Sequence, residues 1–361
     1  MSPRPPNLLG VGAGLAAAGI GAALGLAAER WTVGRSRGGG VAEPFGSLRG
    51  TVHPMTAADG TRLHVEVDEL ADHGAAKGEG PGVTVVLSHG FCLNLDAWHY
   101  QRQSLRGRYR LVLWDQRGHG RSGMGPVGSC TVDQCGDDLV RVLAEVAPTG
   151  PLVLVGHSMG GMTQMAMAAD HPAIIRERVV GVAFIATSAG GLADVHWGLT
   201  GLVGQAAHRL GPGALSGLAR TPRLVDRTRR IASDLEQALV KRYSYSSAVP
   251  ASLVAFSAAM IAATPIEVVA QFLPTFDLHD KREALATLNG IEALVLSGED
   301  DLLTPPEHTD EIVRRLPVAE RVVVPDASHL VMLERPDEVN LHVEELLARA
   351  RRSLGRVLPE K

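Results

Sequence analysis

The sequence predicts an α/β protein: a mostly parallel sheet with helices on both faces and one long helical insertion. Three observations lead there. Short apolar runs without polar alternation recur along the chain, as expected of strands buried on both faces. Stretches with apolar residues at helical spacing separate those runs, and such alternation builds a layered α/β domain. One stretch, residues 189–280, has no comparable strand pair and is rich in Ala and Leu.

Thr51 to Val67 (TVHPMTAADGTRLHVEV) predicts a hairpin, with Asp59-Gly60 at the turn. The buried strands follow as Val83–Ser88 (VTVVLS), Leu111–Trp114 (LVLW), Leu152–Val155 (LVLV), Val180–Ile185 (VGVAFI), Ala293–Leu296 (ALVL) and Arg321–Val324 (RVVV). Helical spacing marks Thr131–Val146, through Val132, Leu139, Val142, Leu143 and Val146, and also Pro336–Arg352. Between the fourth and fifth of those buried runs, the helical stretches Leu224–Tyr243 and Leu253–Ala263 predict a cap over the sheet. An ordinary crossover needs about 10–12 residues, far fewer than this stretch contains. The expected organisation is residues 1–33 as an apolar segment, 34–50 as a Gly-rich linker and 51–188 as the first part of the core. Residues 189–280 form the cap and 281–361 the second part of the core.

Composition narrows the function. The chain has 361 residues and a formal net charge of −4, which offers a nucleic-acid partner no electrostatic support. Hydrophobic residues make up 45% and charged ones 20%, as in a globular domain. The three cysteines, Cys92, Cys130 and Cys135, cannot make a disulfide framework and are expected as small buried side chains. No HExxH or His/Cys set at ligand spacing occurs, so neither a metal nor a cofactor is expected.

Leu8 to Ala28 carries no charge over a length that can span a bilayer as a helix. Three readings stand: a single membrane anchor, a cleaved signal peptide, or a soluble tail that leaves the protein in the cytoplasm. Length favours the anchor, and hence membrane association through residues 8–28. Arg30, Arg35 and Arg37 follow the segment while only Arg4 precedes it, which by the positive-inside rule puts the rest of the chain on the cytoplasmic side.

The chemistry centres on Gly156-His157-Ser158-Met159-Gly160, a GxSxG that directly follows the strand LVLV and opens a helix. Glycines at both ends allow the sharp turn that lifts the serine above the carboxyl edge of the sheet. A serine hydroxyl is a weak nucleophile and needs a base. His329 follows the last strand, so its loop can reach the same edge. An orienting carboxylate is available from Asp300 or Asp301, just after the strand ALVL. Two backbone N–H groups are candidates for an oxyanion hole. One is Phe91, in Ser88-His89-Gly90-Phe91-Cys92 after the strand VTVVLS; the other is Met159, after the serine. His89 is expected to make a structural hydrogen bond behind that loop.

These motifs resemble the α/β-hydrolase superfamily, in its esterase, lipase and epoxide-hydrolase-like branch, over roughly residues 51 to 352. Asp115-Gln116-Arg117-Gly118-His119-Gly120-Arg121-Ser122 is similar to the family's DxRGxGxS turn. GEDDLLTP resembles its GxxDxxxP, with Gly298, Asp301 and Pro305 in register, and that register selects Asp301 over Asp300. ASHLVMLERP resembles its histidine loop. The order Ser…Asp…His is the family's order. The resemblance implies catalysis by Ser158, Asp301 and His329 on a small-molecule ester, one lipid-like in character if the chain sits at a membrane. Epoxide hydrolases and haloalkane dehalogenases carry an aspartate nucleophile, whereas the elbow here carries Ser158. Lactonase, thioesterase and aminopeptidase activity, or a non-catalytic binding role, remain compatible with the same fold. The oligomeric state is left open.

Overall fold

The computed structural model describes residues 44–71, 82–195 and 233–357. The apolar segment at residues 8–28 and residues 196–232 of the expected cap lie outside these. Among the described residues no single helix is long and apolar enough to cross a membrane.

Eight strands form one sheet in the order β1-β2-β4-β3-β5-β6-β7-β8. β1 (Thr51–Thr56) and β2 (Arg62–Asp68) make the expected hairpin. The turn is closed by the Ala57 N–H donating to the Thr61 carbonyl, with Gly60 at φ 86°. β2 also pairs antiparallel with β4 (Arg110–Asp115). The remaining pairs are parallel and join β3 (Thr84–Ser88), β4, β5 (Leu152–His157), β6 (Val179–Ile185), β7 (Glu292–Gly298) and β8 (Glu320–Val324).

Helices cover both faces. In chain order they are α1 (His99–Leu105), α2 (Val132–Val146), α3 (Met159–Asp170), α4 (Pro172–Arg178), α5 (Ser233–Ser244), α6 (Ala251–Ala263), α7 (Ile266–Leu278), α8 (Pro306–Arg315), α9 (Val331–Glu334) and α10 (Pro336–Val357). Successive strand residues point to opposite faces, so each strand feeds two cores. Val85, Leu87, Val153 and Val155 face one layer with Val339 and Leu346 of α10. Val86, Leu152 and Leu154 face the other with Leu139 and Val142 of α2. That two-sided burial is why the runs read as uninterrupted apolar stretches. α5, α6 and α7 fall between β6 and β7, inside the stretch expected as a cap.

Two expectations need adjustment. The described part of the expected linker packs on the domain: Phe45 stacks on Phe256 at 5.1 Å, and the Leu48 carbonyl accepts from Arg102 at 3.2 Å. Cys130 and Cys135 are buried as expected, but Cys92 is half-buried with φ 57°. It lies in the turn that follows β3.

The DxRGxGxS turn after β4 is fastened by buried charge. Arg117 forks onto both oxygens of Asp138 in α2 at 2.7 Å each, and its third nitrogen reaches Asp59 at 2.8 Å. Arg117 and Asp138 are fully buried. Removing one partner strands the other charge in the interior, so Asp138→Ala is expected to lower the unfolding free energy by about 3 kcal/mol. Urea denaturation of the variant beside wild type measures this; a loss under about 1 kcal/mol would mean that Asp59 alone suffices for the arginine.

Candidate active site

The expected serine stands at a sharp strand-to-helix turn. β5 ends at His157, Ser158 has φ 51° and ψ −120°, and α3 begins at Met159. Such a backbone costs of order 1–3 kcal/mol and persists only where the surroundings enforce it. The enforcement is visible. The Ser158 N–H donates to the Ile185 carbonyl of β6 at 2.9 Å, and Thr187 Oγ1 donates to the Ser158 carbonyl at 2.7 Å. A Cβ on Gly160 would collide with the Ser88 carbonyl oxygen, and one on Gly156 would lie 2.6 Å from the Gly161 nitrogen. Both glycines of the motif are therefore required by space.

His329 and Asp301 meet Ser158 at the carboxyl edge of the sheet. His329 Nε2 is 3.0 Å from Ser158 Oγ, and His329 Nδ1 is 2.8 Å from Asp301 Oδ2. A carboxylate only accepts, so the imidazole proton sits on Nδ1 and Nε2 is left to accept from the serine hydroxyl. Asp301 also accepts from the Leu303 N–H at 2.8 Å, the Thr304 N–H at 2.9 Å and Thr304 Oγ1 at 2.8 Å. Burial alone would raise its pKa; the nearby His329 and these hydrogen bonds outweigh that and hold it below the usual carboxylate value. Asp300 faces away and receives the Ser246 hydroxyl. The structure thus brings Ser158, His329 and Asp301 together and leaves Asp300 out.

The Phe91 and Met159 backbones flank the serine, from the β3 loop and from the start of α3. Among the described residues neither N–H donates to a protein acceptor. Two unspent donors beside a nucleophile can hold a developing negative charge. Gly90 gives the loop its close approach, since a Cβ there would lie 2.6 Å from His157 Nδ1 and 3.1 Å from Ser158 Cβ. His89 sits behind the loop: its Nδ1 is 2.7 Å from the Gly90 carbonyl and its Nε2 accepts from the Gln116 N–H at 2.9 Å. Burial keeps its pKa well below the ordinary histidine value, which suits that one-donor, one-acceptor role. The Phe91 side chain lines the cavity, whereas the Met159 side chain is buried in a small cluster with Cys130 and Cys135.

Sequence reasoning passed over two residues that the structure ties to the site. His157, beside the serine, has its Nε2 2.8 Å from the His329 carbonyl, and burial first, then the neighbouring His329, lowers its pKa to about 3. Glu334 accepts the Ser328 N–H at 2.7 Å, one residue before His329. No spacing rule marks either: the first contact joins residues 172 apart, and the second runs from an irregular loop to the end of α9.

A cavity of about 510 Å³ opens over Ser158 and His329. Leu239, Val240 and Tyr243 of α5, Ile261 of α6, and Leu273 and Phe276 of α7 roof it. Cys92 forms part of its wall.

A profile of the alpha/beta hydrolase fold matches residues 83–336. The chain belongs to the alpha/beta hydrolase fold family. Among alpha/beta hydrolases of known structure, it is similar to a thermophilic esterase from Thermogutta terrifontis, with a TM-score of 0.65 and 25% identity over 83% of this chain and 99% of that one. It is similar also to the enol-lactonase from Burkholderia xenovorans, with a TM-score of 0.62 and 26% identity over 82% of this chain and 100% of that one. A 3-oxoadipate enol-lactonase of Acinetobacter baylyi is 25% identical over 78% of this chain and 94% of its own length. Against two other curated relatives, from Caulobacter and Pseudomonas putida, the chain spans 36% and 62% of their lengths.

Proposed function

We propose that this alpha/beta hydrolase is a serine esterase that cleaves carboxylic esters through an acyl-Ser158 intermediate. The observation that carries the reading is the hydrogen-bonded series Ser158–His329–Asp301 at the floor of an apolar cavity.

The geometry supports the following steps. Ser158 Oγ attacks the ester carbonyl carbon as its proton passes to His329 Nε2. Asp301, already accepting from Nδ1, stabilises the imidazolium. The Phe91 and Met159 N–H groups receive the carbonyl oxygen as it becomes anionic, each worth about 3 kcal/mol to the transition state. The C–O bond to the alcohol breaks and the alcohol leaves with the proton from Nε2. Water, deprotonated by the same nitrogen, then cleaves the acyl-serine and frees the acid and Ser158. An apolar cavity takes an apolar acyl group, because burying each CH₂ contributes about 0.8 kcal/mol. An ester is favoured over an amide because its alkoxide leaves more readily than an amine.

The test uses wild-type protein. A fluorophosphonate is expected to add its phosphonyl mass to the peptide carrying Ser158, and p-nitrophenyl esters from acetate to palmitate are expected to be hydrolysed with a maximum at intermediate chain length. Labelling without turnover of any ester would redirect the reading to a narrower acyl substrate such as a lactone. Absence of labelling would leave a non-catalytic binding role.

A further inference from the structure

The loop that carries His329 is held at three consecutive residues; one holder, Ser244, ends α5, and another, Glu334, is itself bonded to the α5–α6 connection. The His329 carbonyl accepts from His157 Nε2 at 2.8 Å, on the core side. The Leu330 N–H donates to the Ser244 carbonyl, the last residue of α5, at 3.0 Å. The Ser328 N–H donates to Glu334 Oε2 at 2.7 Å. The other oxygen of Glu334 accepts from the Ser246 N–H at 2.8 Å, the Ser247 N–H at 2.6 Å and Ser247 Oγ at 2.8 Å. Glu334 is 8% exposed, so all four bonds run through protein rather than solvent.

A buried carboxylate with four donors is costly unless every donor is in place, since the charge has no water to fall back on. Its two oxygens therefore lock two separate segments to each other: residues 246–247, which connect α5 to α6, and the residue preceding the base. α5 and α6 also roof the cavity through Val240, Tyr243 and Ile261. We infer that Glu334 is a positioning residue that couples the seating of the cap to the placement of the His329 imidazole. It touches neither substrate nor the reacting atoms. It acts by fixing the backbone on which His329 turns, so that the 3.0 Å contact with Ser158 forms only when the α5–α6 connection is docked.

This inference rests on the serine-esterase reading, and the experiment separates the two. Glu334→Gln keeps the shape but replaces one acceptor oxygen by an NH₂ that faces N–H donors, so one of the two segments is released. The expected result is a kcat lower by about tenfold on a p-nitrophenyl ester, with KM changed by less than about threefold and fluorophosphonate labelling slowed in step with kcat. Ser247→Ala removes one cap-side hydroxyl only, keeps the backbone donors, and is expected to lower kcat by about threefold at an unchanged melting temperature. A role confined to stability would lower the melting temperature of Glu334→Gln while the folded protein kept wild-type kcat and labelling rate, and that result overturns the coupling. So does an unchanged kcat in Ser247→Ala should Glu334→Gln not fold. If wild type itself resists labelling, the esterase reading fails first and the coupling falls with it.

Discussion

Ser158→Ala is expected to reduce kcat on any hydrolysed p-nitrophenyl ester by about 10⁴-fold or more, with KM within a few-fold of wild type. The serine contributes one atom to the chemistry, its Oγ, and that atom hydrogen-bonds His329 Nε2 at 3.0 Å. Alanine removes it and nothing else that holds the turn. The Ser158 N–H still donates to Ile185 and its carbonyl still accepts from Thr187. The strained φ of 51° is retained by alanine, so neither fold nor cavity should change. What remains is slow attack by water, assisted by the Phe91 and Met159 N–H groups, and this sets the residual rate. The comparison is steady-state kinetics at matched protein concentration, with melting temperature as the control for folding. A variant within tenfold of wild type would remove Ser158 from the bond-making step and leave it as a structural residue of the turn.

The parts of the fold that sequence reasoning reaches are those that two-sided burial dictates. β3 to β7 are covered by helices on both faces, so their middles are uninterruptedly apolar and the runs stand out. The expected ends fall short where the strands approach the site. β5 continues past Val155 through Gly156 to His157, and β7 continues past Leu296 to Gly298. Those added residues are polar or glycine, and so break the apolar pattern, yet they are where the site is built. Local rules fail at sites that place chemistry ahead of packing. Ser158, Asp301 and His329 are nonetheless readable, because each follows directly on a strand end and parallel strands deliver their ends to one edge.

The supporting residues are a different matter. His157 and His329 are 172 residues apart, and Glu334 is 88 residues from Ser246. Neither pairing has a period, and in each one partner is a backbone group that any residue would carry, the His329 carbonyl as acceptor and the Ser246 N–H as donor. The Cys92 exposure is similarly hidden: the residue sits in the turn after β3 with φ 57°, on the cavity wall. Such contacts are decided by tertiary closure of loops, which a one-dimensional pattern does not record.

Asp301→Asn is expected to lower kcat by about 10⁴-fold without loss of the fold, because asparagine forces the wrong tautomer on His329. Asp301 Oδ1 accepts two N–H groups, from Leu303 and Thr304. An amide in this place must keep its oxygen on that side, since its NH₂ would face two donors. The NH₂ then points at His329 Nδ1, which must become the acceptor. The ring proton moves to Nε2, where it faces Ser158 Oγ and can no longer take the serine proton. Asp300→Asn is the matched control, one residue away and bonded to Ser246 rather than to the histidine, and is expected to stay within a few-fold of wild type. Fluorophosphonate labelling of both variants reads the same difference, because phosphonylation needs the activated serine but no deacylation. Equal losses in the two variants would mean that negative charge near the loop, and not the hydrogen bond to Nδ1, is what the histidine requires.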